Sequence, residues 1–334
     1  MLSTRVIVSP RRKRDMALQR GTRSFSLLGA TFLAALCHTY LAGLGLVLLA
    51  VYGLATLNVY ILLPAIAYYV WIYLQTVEYD GTGRWEWWCG LRAWSAVADY
   101  FPMKLVLTSE LNPEKRYIFG MHPHGILTFA ASLMLTDAST FRKKYPAMSL
   151  RGLAASSLFV VPMLREAFLW TGWVEASSRT ANRMLVQKNH SIIIILGGVR
   201  EVLESEPNKM TLILQRRKGF VKLSLSTGAE LVPCLAFGQN EVYTQIGFLK
   251  GLRKWLAKRT HMSATLFWGR WLTFLPYQKP INLVIGKPIP VEKTPTPTTQ
   301  QIEELHSQYI AAIKALYHEH AATYGSPDVK LVVL

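Results

Sequence analysis

The chain has 334 residues, of which 51% are hydrophobic and only 17% charged, and its formal net charge is +17. That length admits one large domain or two modest ones, and the apolar share is high for a soluble protein. A basic excess suits anionic lipid, nucleic acid or a phosphorylated co-substrate, and the long apolar segment described next makes nucleic acid the poorest of the three.

In the N-terminal tail, 1–23, seven basic residues (Arg5, Arg11, Arg12, Lys13, Arg14, Arg20 and Arg23) face the single acid Asp15. From Ser24 to Val77 there follow 54 residues without Lys, Arg, Asp or Glu. A spanning helix needs roughly 20 apolar residues and a hydrocarbon core is about 30 Å thick, so the stretch is long enough to cross twice. Gly53, Thr56 and Asn58 interrupt it, which predicts a transmembrane hairpin within 24–77 with arms Leu27–Tyr52 and Val59–Val77 and a kink at Pro64. One tilted span followed by a buried helix is the alternative. The stretch also far exceeds the ~7–15-residue core of a cleaved signal peptide. Positive flanks stay cytosolic, and a hairpin returns the chain to the same side, so the remainder is expected in the cytosol. Cys37, Cys89 and Cys234 form no CxxC pair and are odd in number, which fits a reducing compartment.

A connector, 78–116, contains WEWWCGLRAW from Trp85 to Trp94, four tryptophans in ten residues. Indoles suit a membrane–water boundary, where the ring is buried and the N–H stays wet; a packed core is the other reading. Beyond it, 117–334 is expected to form an α/β domain. The strand candidates are 117–121, 191–196, 210–214, 230–237 and 281–286, with helical patterns between them over Ile126–Leu135 and Arg179–Asn189. Unbroken aliphatic strands argue a sheet covered on both faces. FLKGLRKWLAKR (248–259) places Phe248, Leu249, Leu252, Trp255 and Leu256 on one helical face and Lys250, Arg253, Lys254, Lys258 and Arg259 on the other. That pattern fits a helix lying on anionic lipid, or else a solvated surface helix. The proline-bearing linker EKTPTPTTQQ (292–301) precedes a last helix with Ile302, Leu305, Tyr309, Ile313, Leu316 and Tyr317 at helical spacing, stopped by Gly325.

The chemistry concentrates in YIFGMHPHGILTFAA, 117–131, where His122 and His124 stand two apart. Residues i and i+2 of a strand share a face, so the pair could hold a metal, but no third His, Cys, Asp or Glu lies close by in sequence. Both could equally be solvated or capping turn residues. As a base, an imidazole after a strand and before a helix at about Ile126 would meet the positive end of the helix dipole, which favours the neutral ring. A neutral imidazole can take the proton of an alcohol attacking a carbonyl. No GxSxG occurs and no Cys lies near the pair, so direct transfer from an activated donor suits better than an acyl-enzyme.

HPHG at 122–125 resembles the signature of type-2 diacylglycerol acyltransferases, shared with monoacylglycerol acyltransferases and wax-ester synthases. The likeness extends, in order, to DYFP (99–102), LREAFLWTG (164–172), LGGVREVLE (196–204), RRKGFVKLSLSTGAELVPCLAFGQN (216–240) and IGKPIPV (285–291). It implies a glycerolipid-acyltransferase-like α/β domain behind the hairpin, in the endoplasmic reticulum membrane and on lipid droplets. It also implies transfer of a fatty acyl group from acyl-CoA to diacylglycerol, with membrane lipids and a homo-oligomer as compatible partners and no bound cofactor or metal. Monoacylglycerol or fatty alcohol are the alternative acceptors; a membrane metallohydrolase and a non-catalytic droplet hairpin protein are the rivals of other classes.

On that resemblance His124, or else His122, is the base, and Glu201 orients the histidine or the substrate. Backbone around Pro123, Gly125, Gly197 and Gly198 would stabilise the oxyanion, Gly197-Gly198 being otherwise a plain strand-ending turn. Arg216, Arg217, Lys218 and Lys222 would bind the CoA phosphates, or else form a solvated or lipid-facing basic face. Two departures stand out. Many glycerolipid acyltransferases carry an aspartate five residues after the histidine, where this chain has Leu127 or Phe129. In FGQN, Gln239 replaces the family's usual glutamate, with Glu241 two residues on.

Overall fold

The structure is a computed structural model and describes residues 26–248, 250–260, 265–325 and 329–334. The basic tail 1–23 and Leu249 lie outside the described residues, as do the side chains of Lys250, Leu256 and Lys258.

The uncharged stretch folds as two apolar helices. The first, Leu27–Thr56, begins where the Ser26 side chain accepts the Gly29 N–H and ends at Leu57 in the left-handed region (φ 51°). Asn58 then accepts the Tyr60 N–H and starts the second, Val59–Leu74, with Pro64 inside it. At ~1.5 Å per residue the two helices are about 45 and 24 Å long. The break falls at Leu57–Asn58, within the expected interval 53–58; the first helix runs on to Thr56, so Gly53 is ordinary helix. Leu27–Thr56 and the stretch Val59–Asp80 are long and apolar enough to cross a membrane by length and composition.

The N-terminal half of the first helix docks on the rest of the chain. A Cβ on Gly29 would lie 2.1 Å from the Ala96 carbonyl oxygen, and one on Gly43 would lie 2.3 Å from that of Pro162, so both contacts demand glycine. Leu33 is fully buried there, and Phe32 packs edge-on to Trp94 at 5.1 Å. The tryptophan cluster consequently divides. Trp94 is buried and donates its Nε1–H to the Trp88 carbonyl, whereas Trp85 and Trp87 stay exposed at 45% and 62%.

The strands, in chain order, are β1 (Lys104–Leu107), β2 (Tyr117–His122), β3 (Leu150–Ala154), β4 (Trp173–Glu175), β5 (Ser191–Ile195), β6 (Lys209–Leu212), β7 (Glu230–Phe237), β8 (Thr244–Gln245), β9 (Phe267–Trp268), β10 (Asn282–Ile285) and β11 (Lys330–Val333). Seven form one mixed sheet in the order β1-β10-β7-β2-β5-β3-β4. All its pairings are parallel except β10–β7. Every residue of β2 and of β7 is buried, as the unbroken aliphatic runs require. Two large apolar clusters pack the sheet. One contains Leu33, Trp94 and Phe119, and the other Ile118, Leu231 and residues of the last helix, Thr299–Tyr324. That helix starts inside the proline-bearing linker, because Thr298 and Gln301 form a reciprocal capping box.

Several expectations change. The segment 210–214 does supply a strand, β6, but it stands outside the main sheet and pairs in parallel with β11. No regular helix covers Ile126–Leu135; a loop runs to Thr128, a 3-10 turn spans Phe129–Ala131 and one helical turn follows over Ser132–Leu135. In the basic amphipathic helix, Lys250–Thr260, Arg253 is buried and donates to the Ile246 carbonyl, and Lys254 pairs with Glu204. Two of its expected outward cations therefore face the protein, while Leu252 and Trp255 are about half exposed.

Candidate active site

Three neighbouring parallel strands deliver the site. Because β7, β2 and β5 run in the same direction, their C-terminal ends open on one edge, the usual place for ligand chemistry in such sheets. β2 ends in His122-Pro123-His124-Gly125, β5 leads into Gly197-Gly198 and the short helix Gly198–Leu203 that carries Glu201, and β7 leads into Gly238-Gln239. The His122–Pro123 peptide bond is cis.

Glu201 is the hub. It is 1% exposed; one carboxylate oxygen accepts the His124 backbone N–H at 2.8 Å and the other accepts the Ile213 N–H at 3.1 Å. The second oxygen also lies 3.7 Å from His122 Nδ1. The carboxylate that meets the histidine turn thus comes from a residue 77 positions along the chain from His124. Gly197 exists to admit it: a Cβ there would sit 2.2 Å from the Glu201 carboxyl carbon. What approaches Gly197 so closely is therefore the protein's own carboxylate.

The two histidines differ sharply. His122 is fully buried, and neither ring nitrogen has a hydrogen-bond partner. His124 is half-buried; its Nδ1 lies 3.0 Å from the Gly125 carbonyl and 3.5 Å from the Thr128 hydroxyl. Loss of water around the ring lowers the His124 pKa below its ordinary value, against an opposing pull from the Glu201 charge. The ring is accordingly neutral near neutral pH. The cause is burial, not the helix dipole expected from sequence, because the helical turn nearby is four residues long and starts at Ser132. With Nδ1–H donated to the Gly125 carbonyl, the imidazole presents Nε2 as its free lone pair.

Gln239 supports the other side of the loop. It is fully buried; its Nε2 donates to the Leu127 carbonyl at 2.6 Å and its Oε1 accepts the Ala130 N–H at 3.1 Å. Gly125 adopts φ 65°, and a Cβ there would meet the Gln239 side chain at 3.0 Å. Glu241 is not part of this contact, since its carboxylate accepts the Asn208 N–H at 3.2 Å. Behind β2, the Tyr309 hydroxyl donates to the Gly120 carbonyl at 3.0 Å, and its ring lies 6.3 Å from that of His122.

Of the four basic residues, Arg217 reaches the site by donating to the Gly197 carbonyl at 3.3 Å. Lys218 pairs with Glu303, and Arg216 and Lys222 are exposed. Among the described residues, no group of three or more His, Cys, Asp or Glu side chains could hold a metal ion. The sequence points to Tyr309 only as a core position of the last helix, and gives Gly120 and the Ile213 N–H no role at the site. The isolated glycine within the strand YIFGM was the available signal, because glycine in a strand interior often marks a close approach.

Comparison with known proteins gives the family. Residues 54–334 match the family described as diacylglycerol acyltransferase. The chain is 36% identical over 283 residues to 2-acylglycerol O-acyltransferase 1 of Bos taurus, covering 80% of this chain and 84% of that one. It is 36% identical over 286 residues to diacylglycerol O-acyltransferase 2 of Homo sapiens, covering 81% and 74%. It is 34% identical over 282 residues to acyl-CoA wax alcohol acyltransferase 1 of Homo sapiens, covering 79% and 85%. Among solved structures, a 1-acyl-sn-glycerophosphate acyltransferase from Thermotoga maritima aligns with a TM-score of 0.41 at 14% identity, over 82% of this chain and 96% of that one. With a family match spanning 54–334 and relatives 34–36% identical over most of their length, the chain belongs to the diacylglycerol acyltransferase family.

Proposed function

We propose that the chain transfers a fatty acyl group from acyl-CoA to diacylglycerol, forming triacylglycerol, with His124 as general base. The observation that carries this reading is the neutral His124 ring, whose Nδ1 lies against the Gly125 carbonyl at 3.0 Å and whose Nε2 is left to accept a proton. Nε2 takes the proton of the acceptor hydroxyl as the oxygen attacks the thioester carbonyl. The new C–O bond forms, the C–S bond breaks, and the proton passes to the departing CoA thiolate. Glu201 holds the His124 backbone, and backbone N–H groups near Gly125, Gly197 and Gly198 would stabilise the oxyanion. Arg216, Arg217 and Lys222 would receive the CoA phosphates; Lys218 is already engaged by Glu303.

A second reading is favoured by one observation. His122 is buried with both ring nitrogens unpartnered and its Nδ1 3.7 Å from Glu201, the arrangement of a histidine–carboxylate dyad. The two readings are separable. Microsomes given labelled acyl-CoA and a choice of diacylglycerol, monoacylglycerol and fatty alcohol should yield mainly triacylglycerol. His124→Ala should abolish product at unchanged protein abundance, and loss confined to His122→Ala would transfer the role to the dyad. Full activity in both variants would end the histidine-base reading, and exclusive use of another acceptor would end the diacylglycerol one. The relatives named for 2-acylglycerol and wax alcohol make those the acceptors to include. We place the enzyme in the endoplasmic reticulum membrane and on lipid droplets with its α/β domain in the cytosol; fractionation and protease protection of the full chain test this.

A further inference from the structure

On the edge of the sheet opposite the histidine turn lies a cavity of about 320 Å³. Leu150, which lines it, pairs with Ser191 at the start of β5, and β5 runs from there to Ile195 and on to the Gly197 turn. At ~3.3 Å per residue the two edges are about 13 Å apart along that strand. Three arginines from separate segments line the cavity: Arg84 of the connector, Arg142 of the helical turn Phe141–Lys144 and Arg151 of β3. Met134, Phe141 and Met148 add an apolar wall.

The guanidinium groups are held mainly by neutral acceptors. Arg84 donates to the Leu135 carbonyl at 2.8 Å and to the Thr171 carbonyl at 3.0 Å. Arg151 donates to the Gly81 and Leu150 carbonyls at 3.0 Å each and to the Ser149 hydroxyl at 3.3 Å. Carboxylates are fewer. Glu86 reaches both Arg84 and Arg142, Asp137 holds Arg142 at 2.7 Å, and none meets Arg151 among the described residues. Burial, and then repulsion from Arg84, pushes the Arg151 pKa down to about 10. Burial, with the charges of Arg151, Lys188 and Arg84, likewise pushes His190 down to about 4. Positive charge exceeds negative charge at this place.

We propose that this cavity binds a phosphate monoester, at a site separate from the one for acyl transfer. Guanidinium forks match the paired oxygens of a phosphate group. Glu86 marks where such a group sits, because its two oxygens bond Arg84 Nε and Arg142 Nη2 as two phosphate oxygens would. The Glu86 side chain is 64% exposed, so it can turn into water and release both arginines. A monoester, carrying about −1.5 to −2 charges near neutral pH, then meets Arg84, Arg142 and Arg151 together. Its organic part rests on Met134 and Phe141. A ligand with a single carboxylate would merely replace Glu86 and gain little, which is why the dianion is the class that fits.

The test is calorimetric titration of the detergent-solubilised full chain at low salt. Phenyl phosphate serves as the soluble monoester, and phosphatidate in the same detergent as the lipid headgroup, with benzoate and phosphatidylcholine as controls. At least one monoester should bind saturably and more weakly as salt is added, and the controls should not; the monoester that binds names the source of the phosphate. Arg142→Gln and Arg151→Gln should each weaken binding about tenfold or more, the worth of a hydrogen bond to a charged group. Glu86→Gln should tighten it, since the competing carboxylate is gone. Lys222→Gln, on the basic face assigned to CoA, should leave it unchanged. Absence of saturable binding by either monoester overturns the proposal. So does binding that is indifferent to Arg142→Gln, weakened by Glu86→Gln or lost in Lys222→Gln. If Arg151→Gln does not accumulate, Arg142→Gln and Glu86→Gln at the rim decide through their opposite signs. Acyltransferase activity enters none of these readouts, so the functional reading stands or falls separately.

Discussion

Replacing Glu201 with glutamine keeps the shape of the hub and removes one of its two acceptors. The carboxylate accepts the His124 N–H at 2.8 Å with one oxygen and the Ile213 N–H at 3.1 Å with the other. An amide can satisfy one of them and must turn its NH2 toward the other donor. A hydrogen bond to a charged group is worth about 1.5–3 kcal/mol. If that loss falls on His124 in the transition state, kcat drops by about 10- to 150-fold at ~1.36 kcal/mol per tenfold. The pH profile should move as well. The Glu201 charge raises the His124 pKa against the burial that lowers it, so removing the charge lowers that pKa further. The active form is the neutral ring, hence the acid limb of kcat/KM should shift to lower pH even as kcat falls. Labelled acyl-CoA turnover by microsomes across acid and neutral pH measures both effects, and a melting curve in detergent separates them from unfolding. A wild-type kcat with an unmoved acid limb would refute the assignment of Glu201 as the group that positions and tunes His124.

Gly197→Ala should reproduce much of the Glu201 phenotype without touching a charged group, because the new methyl would lie 2.2 Å from the Glu201 carboxyl carbon; turnover at equal protein abundance checks it. Gly120→Ala should be strongly destabilising, since its Cβ would lie 2.0 Å from the Tyr309 hydroxyl oxygen. Tyr309→Phe alone should cost only about 0.5–1.5 kcal/mol, the worth of one hydrogen bond. The pair combined should melt above Gly120→Ala, because part of the clash is removed with the hydroxyl.

Much of the site could be read from the chain because its parts lie close together in sequence. HPHG follows an aliphatic run that can only be a buried strand, and Gly197-Gly198 follows another, so strand ends and turns were legible from composition alone. The hairpin was legible for the same reason: 54 consecutive uncharged residues leave little alternative in water. Within the interval 53–58 that the sequence offers for the break, a left-handed residue at Leu57 and the Asn58 cap decide the place, and Gly53 stays helical. After HPHG the apolar pattern of ILTFAA suggests a helix, yet the segment is a loop bonded at Leu127 and Ala130 by Gln239, 109 residues from Ala130.

The sequence by itself determined the membrane-directed hairpin, the aliphatic strands of an α/β domain, the histidine-bearing turn and the family. Each follows from a local run of residues whose burial or backbone freedom has one economical solution. Tertiary structure alone decided which of two adjacent histidines is sealed and which keeps a free nitrogen. It also decided that the Glu201 carboxylate meets the His124 backbone N–H and that the Gln239 amide bonds the loop that follows. Those outcomes depend on the order β7-β2-β5, which brings three strand ends together from distant parts of the chain. Desolvation and hydrogen-bond geometry at their meeting point cannot be summed from any one segment.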